Sequence, residues 1–563
     1  MKLSSLRVRI ILFVILAVGF GVFLRQTSFI FSYNIHNRYV EEQFESIRKN
    51  NLFEASHRPE VLLVFDEQSS DYRDNAIDFL KQIKMDYDVL EATQYRNPST
   101  KYPVLFLAVE SLESVSNVEA LFKYVESGGH LFIIRRLELS ANFYSHYQKL
   151  GITEFASFVG SETIYLDKSF LPDFTKRSYE GSFFWNSSLI LQLINDANVL
   201  LVAEDKVPLL WEHSYGVGDI SYFNGSMLKD RGHHIILLDY LIRKKELLIY
   251  PVANIKLVTI GEFPAPLYQG ENEEIMNLYS RNNAAFYRDI WWPDILGVGK
   301  RYELIFSTGV LPRYKLEDED DVVLKKQDYI YYAREILNQD GELGYQELSF
   351  VNEDGLNKAF LPGYKYNHYI PIDHQVTDQE WLYIDSNPVN VPIVSSLYRT
   401  GNEDIKQQSF SVRESGVVEI PIMTKGYVFD DLNLWMMHSG LKMQGIYHHY
   451  LTGNLSRDLQ WELHYKELNR HYQWLNNTFP YLEAVSATDA VDEIILYDQL
   501  DFNISQNGDQ WTIVSSFNGI KYFYIHSKED LVSIQGGTLN KLPTGGYLLE
   551  MNSTMCVLEW SRL

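Results

Sequence analysis

The chain has 563 residues, more than one hydrophobic core organises, so two or three domains are expected. Apolar residues at 46% and charged residues at 22% are ordinary for a globular protein and argue against extended disorder. The formal charge of −24 argues against nucleic acid as a partner, since binding it needs Lys and Arg on phosphates, and leaves room for a cationic ligand such as a partly deacetylated aminosugar polymer.

The first element in chain order is the apolar run Ile10 to Leu24, flanked by Lys2, Arg7 and Arg9 before it and Arg25 after it. The run is short for a spanning helix, but Val8, snorkelling arginines and the interfacial Phe29-Ile30-Phe31 extend its reach. No small-x-small cleavage site and no lipobox cysteine follows. The expectation is an uncleaved signal anchor over residues 1–31, with a cleaved signal peptide as the alternative. The positive charges before it place the N-terminus in the cytoplasm and the bulk of the chain outside a cell membrane crossed once. Residues 32–58 read as a polar helical stalk. The single cysteine, Cys556, excludes an intrachain disulfide, a Cys-rich zinc site and a CxxC pair, which suits an exported bacterial protein.

From Val61 short apolar strands alternate with amphipathic helices: Val61 to Phe65, a helix over 74–84, Pro103 to Val109, a helix through Val118, Leu121, Phe122 and Val125, then His130 to Ile134. Asn198 to Ala203 and Ile220 to Phe223 follow. This alternation predicts a doubly wound parallel sheet over residues 59–250. Leu121 to Gly129 resembles a turn of glutamine-amidotransferase-like domains, so the resemblance implies a flavodoxin- or amidotransferase-like unit. That family's nucleophile is a cysteine and none lies in this region, which leaves a structural or binding role. No GxGxxG or Walker motif opens a helix.

A second αβ region runs from Pro251 to about Ile494. Its first strand (Ile255, Leu257, Val258) ends in Gly261-Glu262-Phe263-Pro264-Ala265-Pro266, which places a carboxylate at the rim of a sheet or barrel. The acidic run Glu317 to Asp321 lacks the spaced ligands of a Ca²⁺ loop and reads as a solvated segment. Residues 495–563 alternate apolar and polar residues between Asn-Gly and Gly-Gly turns, predicting a small antiparallel β domain.

Residues 250–494 resemble the deacetylase domain associated with Pel exopolysaccharide production, and a family of anchored bacterial proteins grouped with it. Gly261 to Pro266, Trp291-Trp292-Pro293-Asp294, Val418-Glu419-Ile420-Pro421, Gly426-Tyr427, Tyr447-His448-His449-Tyr450 and Phe479 to Leu482 carry the resemblance. It implies a distorted (β/α) barrel of polysaccharide-deacetylase type. It also implies de-N-acetylation of a hexosamine polymer by a divalent, zinc-like metal held by one Asp and two His. The family's Asp-Asp pair, base then ligand, here reads Gly261-Glu262, and glycine accepts no proton.

Metal candidates are Glu262, His448, His449 and His438, although adjacent histidines on a strand face opposite sides. Catalytic candidates are Glu262 and Asp294. Trp291, Trp292, Tyr366, His368 and Asp373 are candidates for glycan binding, with core packing the alternative for the tryptophans and a helix cap for Asp294. Glu262 with Asp294 or Glu419 could also serve as a glycosidase carboxylate pair. The reading that results is a membrane-tethered glycan-binding protein of an exopolysaccharide system, catalytically degenerate and without cofactor, beside polysaccharide-synthase partners. The alternative is an active metal-dependent de-N-acetylase with rearranged ligands.

Overall fold

The computed structural model describes residues 59–561 apart from 98–99, 175, 265–272, 312, 315–321, 324–325, 347, 349–360, 362, 372–375, 389–390, 398–409 and 454–459. The apolar run Ile10 to Leu24, the stalk, the acidic run and Asp373 therefore lie outside the described residues. Among the described residues no helix is long and apolar enough to cross a membrane.

The N-terminal unit is built on a nine-stranded sheet. Val61–Phe65 pairs in parallel with Tyr87–Glu91 and Val104–Ala108; His130–Ile133 and Gly218–Phe223 continue the parallel half. From there the order is antiparallel, through Pro208–Tyr215, Asn198–Ala203, Thr163–Leu166 and Ser178–Glu180. The expected doubly wound parallel sheet is thus corrected to a mixed one. Residues 208–223 fold as a hairpin over Gly216, and a tight hairpin forces antiparallel pairing. The Gly128-Gly129 turn has a packing cause. Gly128 ends the helix Val118–Glu126 at φ +102°, and a Cβ on Gly129 would overlap the ring of Tyr124.

The second unit is a curled parallel sheet. Its strands are β1 (Ile255–Phe263), β2 (Phe306–Val310), β3 (Glu342–Tyr345), β4 (His368–Tyr369), β5 (Ile393–Leu397), β6 (Val418–Ile422) and β7 (Ile446–Thr452). Neighbours pair in parallel from β1 to β6. The chain after β6 then pairs through Thr424–Lys425 with β7, and β7 pairs with β1, so the two ends of the curl meet. The backbone N–H of Met423 donates to the His448 carbonyl at 3.0 Å across this seam.

The helices α1 (Trp292–Tyr302), α2 (Lys326–Leu337), α3 (Asp431–Gln444) and α4 (Trp461–Thr478) follow strands in the sequence. Val258, Ile260, Phe306, Leu343 and Leu451 face α1, α2 and α4 on the outside. The helix α5 (Ala487–Gln499) instead meets the strand starts: Ala490, Val491 and Ile494 pack on Ile255, Leu257, Ile393, Val418, Ile420 and Ile446. Two four-stranded antiparallel sheets end the chain. One of them recruits Leu247–Val252, the segment leading into β1, as a partner for Lys521–Ser527. Leu248 and Tyr250 belong to an apolar core shared by the N-terminal sheet, α3 and Tyr522, Tyr524 and Leu548. Trp435 of α3 sits in that core fully buried, its indole N–H donating to the Gly232 carbonyl at 2.8 Å.

Candidate functional site at the mouth of the curled sheet

Side chains alternate along each strand, so the odd-numbered positions of β1 and the even-numbered positions of β7 share the concave face. Three layers result. The lowest is apolar and closed by α5. The middle layer is polar and buried, with Thr259, His448, His368 and Ser395. The upper layer is Ile370, Ile422 and Tyr450, one compact apolar cluster.

At the mouth, the C-terminal end of β1 carries Gly261 and Glu262. A Cβ on Gly261 would overlap the hydroxyl and ring of Tyr450, so the volume that an acidic side chain would need is filled by a tyrosine from β7. Burial raises the Tyr450 phenol further above its ordinary range, with the Glu262 carboxylate adding to the effect, so it stays protonated. The Gln346 amide donates to the Tyr450 hydroxyl at 3.4 Å and its oxygen accepts from the backbone N–H of Glu262. Glu262 adopts φ +50°, a left-handed conformation that costs a non-glycine residue energy. Its carboxylate accepts from the Thr452 hydroxyl at 2.7 Å and is only partly buried. The mouth therefore offers one acid, one amide and two hydroxyls.

The three candidate histidines lie in three different places. On the concave side, His448 Nδ1–H donates to the Pro421 carbonyl at 3.0 Å and Nε2 accepts from Thr259 at 3.3 Å. It is fully buried beneath Tyr450, and burial drives its pKa down to about 3. His449 points outward, donating from Nε2 to the Gly426 carbonyl and accepting from the Tyr472 hydroxyl, each at 2.8 Å; burial lowers it to about 4. His438 lies on α3, donating to the Leu434 carbonyl at 2.7 Å and stacking on Phe174, and burial lowers it to about 4.

These residues do not fit a shared metal. Glu262 is anchored at Thr452, while His448 sits four residues earlier on the same strand, roughly 13 Å away at about 3.3 Å per residue. Such a site would need ligand bonds of about 2 Å. Among the described residues, no three His, Cys, Asp or Glu side chains converge as metal ligands.

Trp291 and Trp292 stack on each other with ring centroids 5.7 Å apart and are buried in the outer core, not presented to a sugar. The Trp291 indole donates to Tyr427 at 3.2 Å. Asp294 stands in the first turn of α1 and accepts from the Trp461 indole at 2.7 Å, with burial raising its pKa. Glu419 alternates with the inward Val418 and Ile420, so it faces the outer side of the sheet. Tyr366 is buried against Tyr329, hydroxyl to hydroxyl at 2.9 Å. His368 faces the concave interior, Nε2 at 2.7 Å from Ser395, and burial lowers it to about 3.

Four residues escaped the sequence reading. Tyr450 and Thr452 share parity with His448 on one strand, a signal that was present. Gln346 carried none. Glu342, the first residue of β3, is fully buried and accepts from the Thr488 N–H at 3.1 Å, the Thr488 hydroxyl at 2.6 Å and Ser307 at 3.2 Å, at the start of α5. Burial pushes its pKa up to about 7 against these donors.

Among solved structures, the chain is similar to Agd3, a carbohydrate deacetylase, at 11% identity over 90% of this chain and 99% of that one, with a TM-score of 0.49. A putative ThuA-like protein from Bacteroides uniformis is 14% identical over 35% of this chain and 95% of its own, with a TM-score of 0.28. A β-galactosidase from Bacillus circulans sp. alkalophilus is 13% identical over 35% and 34%, at 0.27. Scores this low assign no activity. A search of curated protein sequences gives no match. A family model does match, over residues 161–354 and 348–548, which is more than half of the chain. The chain belongs to the family described as an uncharacterised protein conserved in bacteria, DUF2194.

Proposed function

We propose that this protein binds a hexosamine-containing polysaccharide at the mouth of its curled sheet, as a tethered component of an exopolysaccharide system, with a deacetylase-like barrel that has lost its base. One observation carries the reading: Tyr450 fills the space beside Glu262 where the resembled family keeps a proton acceptor. A protonated phenol takes no proton from water. Glu262, Gln346, Thr452 and Tyr450 form a hydrogen-bonded set of the kind that reads sugar hydroxyls and amino groups. The net charge of −24 favours a polymer bearing free amines. The run Ile10 to Leu24 supports tethering, with the sheet on the outer side of the membrane.

The test is calorimetric titration of the full chain in detergent with chitosan oligomers and fully N-acetylated oligomers. Binding is expected to be tighter for the amine-bearing oligomers, to weaken with salt, and to be lost in Glu262→Ala. Equal, salt-independent binding by wild type and Glu262→Ala would overturn the placement of the site.

A further inference from the structure

A cleft of about 250 Å³ opens where the N-terminal unit meets the curled sheet, well away from the mouth. Gln444, the last residue of α3, lines it with its side chain nearly inaccessible to solvent at 1% exposure. Among the described residues, neither its amide nitrogen nor its amide oxygen has a hydrogen-bond partner. Leaving both halves of a buried amide unsatisfied costs on the order of 1–3 kcal/mol for each group. A hydrophobic residue of similar volume would avoid that cost, so an amide retained here points to a ligand that completes it.

The other lining groups define that ligand. One wall is aromatic, Tyr497, with the Lys84 ammonium 5.4 Å above its ring. Lys84 is committed, donating to the Asp498 and Leu500 carbonyls at 2.9 Å each. Arg231 pairs with Asp78. The lining sets Lys81, Lys84 and Arg231 against the carboxylates of Asp78 and Asp498, and Lys81 forms no ion pair among the described residues, so the cleft keeps an excess of one positive charge in a strongly acidic protein. The volume is below that of a drug-sized pocket and suits a single ring. An apolar face on one side, an amide that donates and accepts on the floor, and a cation at the rim match a hydroxylated ring bearing a carboxylate.

We propose that the cleft is a second binding site, for a small sugar acid of the uronate class, gripped by Gln444 and Lys81. It is independent of the mouth. The experiment is calorimetric titration of the full chain with glucuronate, with glucose as the uncharged control. Saturable glucuronate binding is expected, with glucose about tenfold weaker. Gln444→Leu and Lys81→Met should each weaken glucuronate about tenfold or more, while Glu262→Ala leaves it unchanged. Without ligand, Gln444→Leu should melt at a higher temperature than wild type, since it removes an unsatisfied amide; a merely structural glutamine would give a lower one. Three results each overturn the proposal: no saturable binding, glucose binding as tightly as glucuronate, or unchanged binding in both cleft variants.

Discussion

Gly261 and Tyr450 show how one missing side chain can be read as an occupied position. The aromatic ring is packed where a Cβ would stand, so enlarging Gly261 forces Tyr450 out of the upper layer it shares with Ile370 and Ile422. Gly261→Ala should cost about 1–3 kcal/mol, seen as a lower urea midpoint at unchanged slope. Tyr450→Ala in the same chain should recover part of that loss, because the two changes share a space and do not add. Glu342 makes a different prediction. Its carboxyl titrates near 7 when folded and near the ordinary 4.5 when unfolded, so the folded state holds the proton more tightly. Stability from this group is complete below about 4.5 and is lost as pH rises through about 7, amounting to about 3 kcal/mol. Glu342→Gln should remove that decline, measured as urea midpoints between pH 4.5 and 8.

At the scale of the element, β7 decides the fate of the histidines. Alternation sends His448 inward and His449 outward, and both are neutral because burial disfavours the charged ring. Their folded pKa values lie below the unfolded value of about 6.5, so their contribution is present above 6.5 and is lost as pH falls. At pH 5 each should cost about 2 kcal/mol relative to pH 7, so His449→Gln should flatten the acid limb of the stability profile.

Much of this element was legible. Period-2 alternation in Tyr447 to Tyr450 predicts that at most one of the adjacent histidines reaches any one site, as found. The carboxylate at the end of β1 was legible too, because a strand running into Pro264 has to stop there. What was not legible depends on which strands become neighbours. Gln346 reaches Glu262 across β2, which pairs with both β1 and β3, and Trp291 is a core residue because α1 packs against α4. The mixed sheet of the first unit was missed for a related reason: an apolar strand looks the same in either direction.

On the scale of the molecule, the units are joined by shared hydrophobic surface. Trp435 of α3 packs against Phe174, Tyr179 and Phe184 of the first unit, and Lys442 pairs with Asp173 nearby. Leu247–Val252 enters the C-terminal sheet before the chain turns into β1. Unfolding of the full chain should be a single thermal transition. Trp435→Ala should remove about 3–5 kcal/mol and either lower that transition or split it in calorimetry. For the molecule as a whole, the proposed function is that the mouth holds glycan without cleaving its acetamides. The most direct measurement is acetate release from N-acetylhexosamine oligomers by the full chain, with zinc, cobalt or manganese supplied. The account predicts no release above buffer while the oligomers still bind. Metal-dependent release that disappears in Glu262→Ala would contradict it.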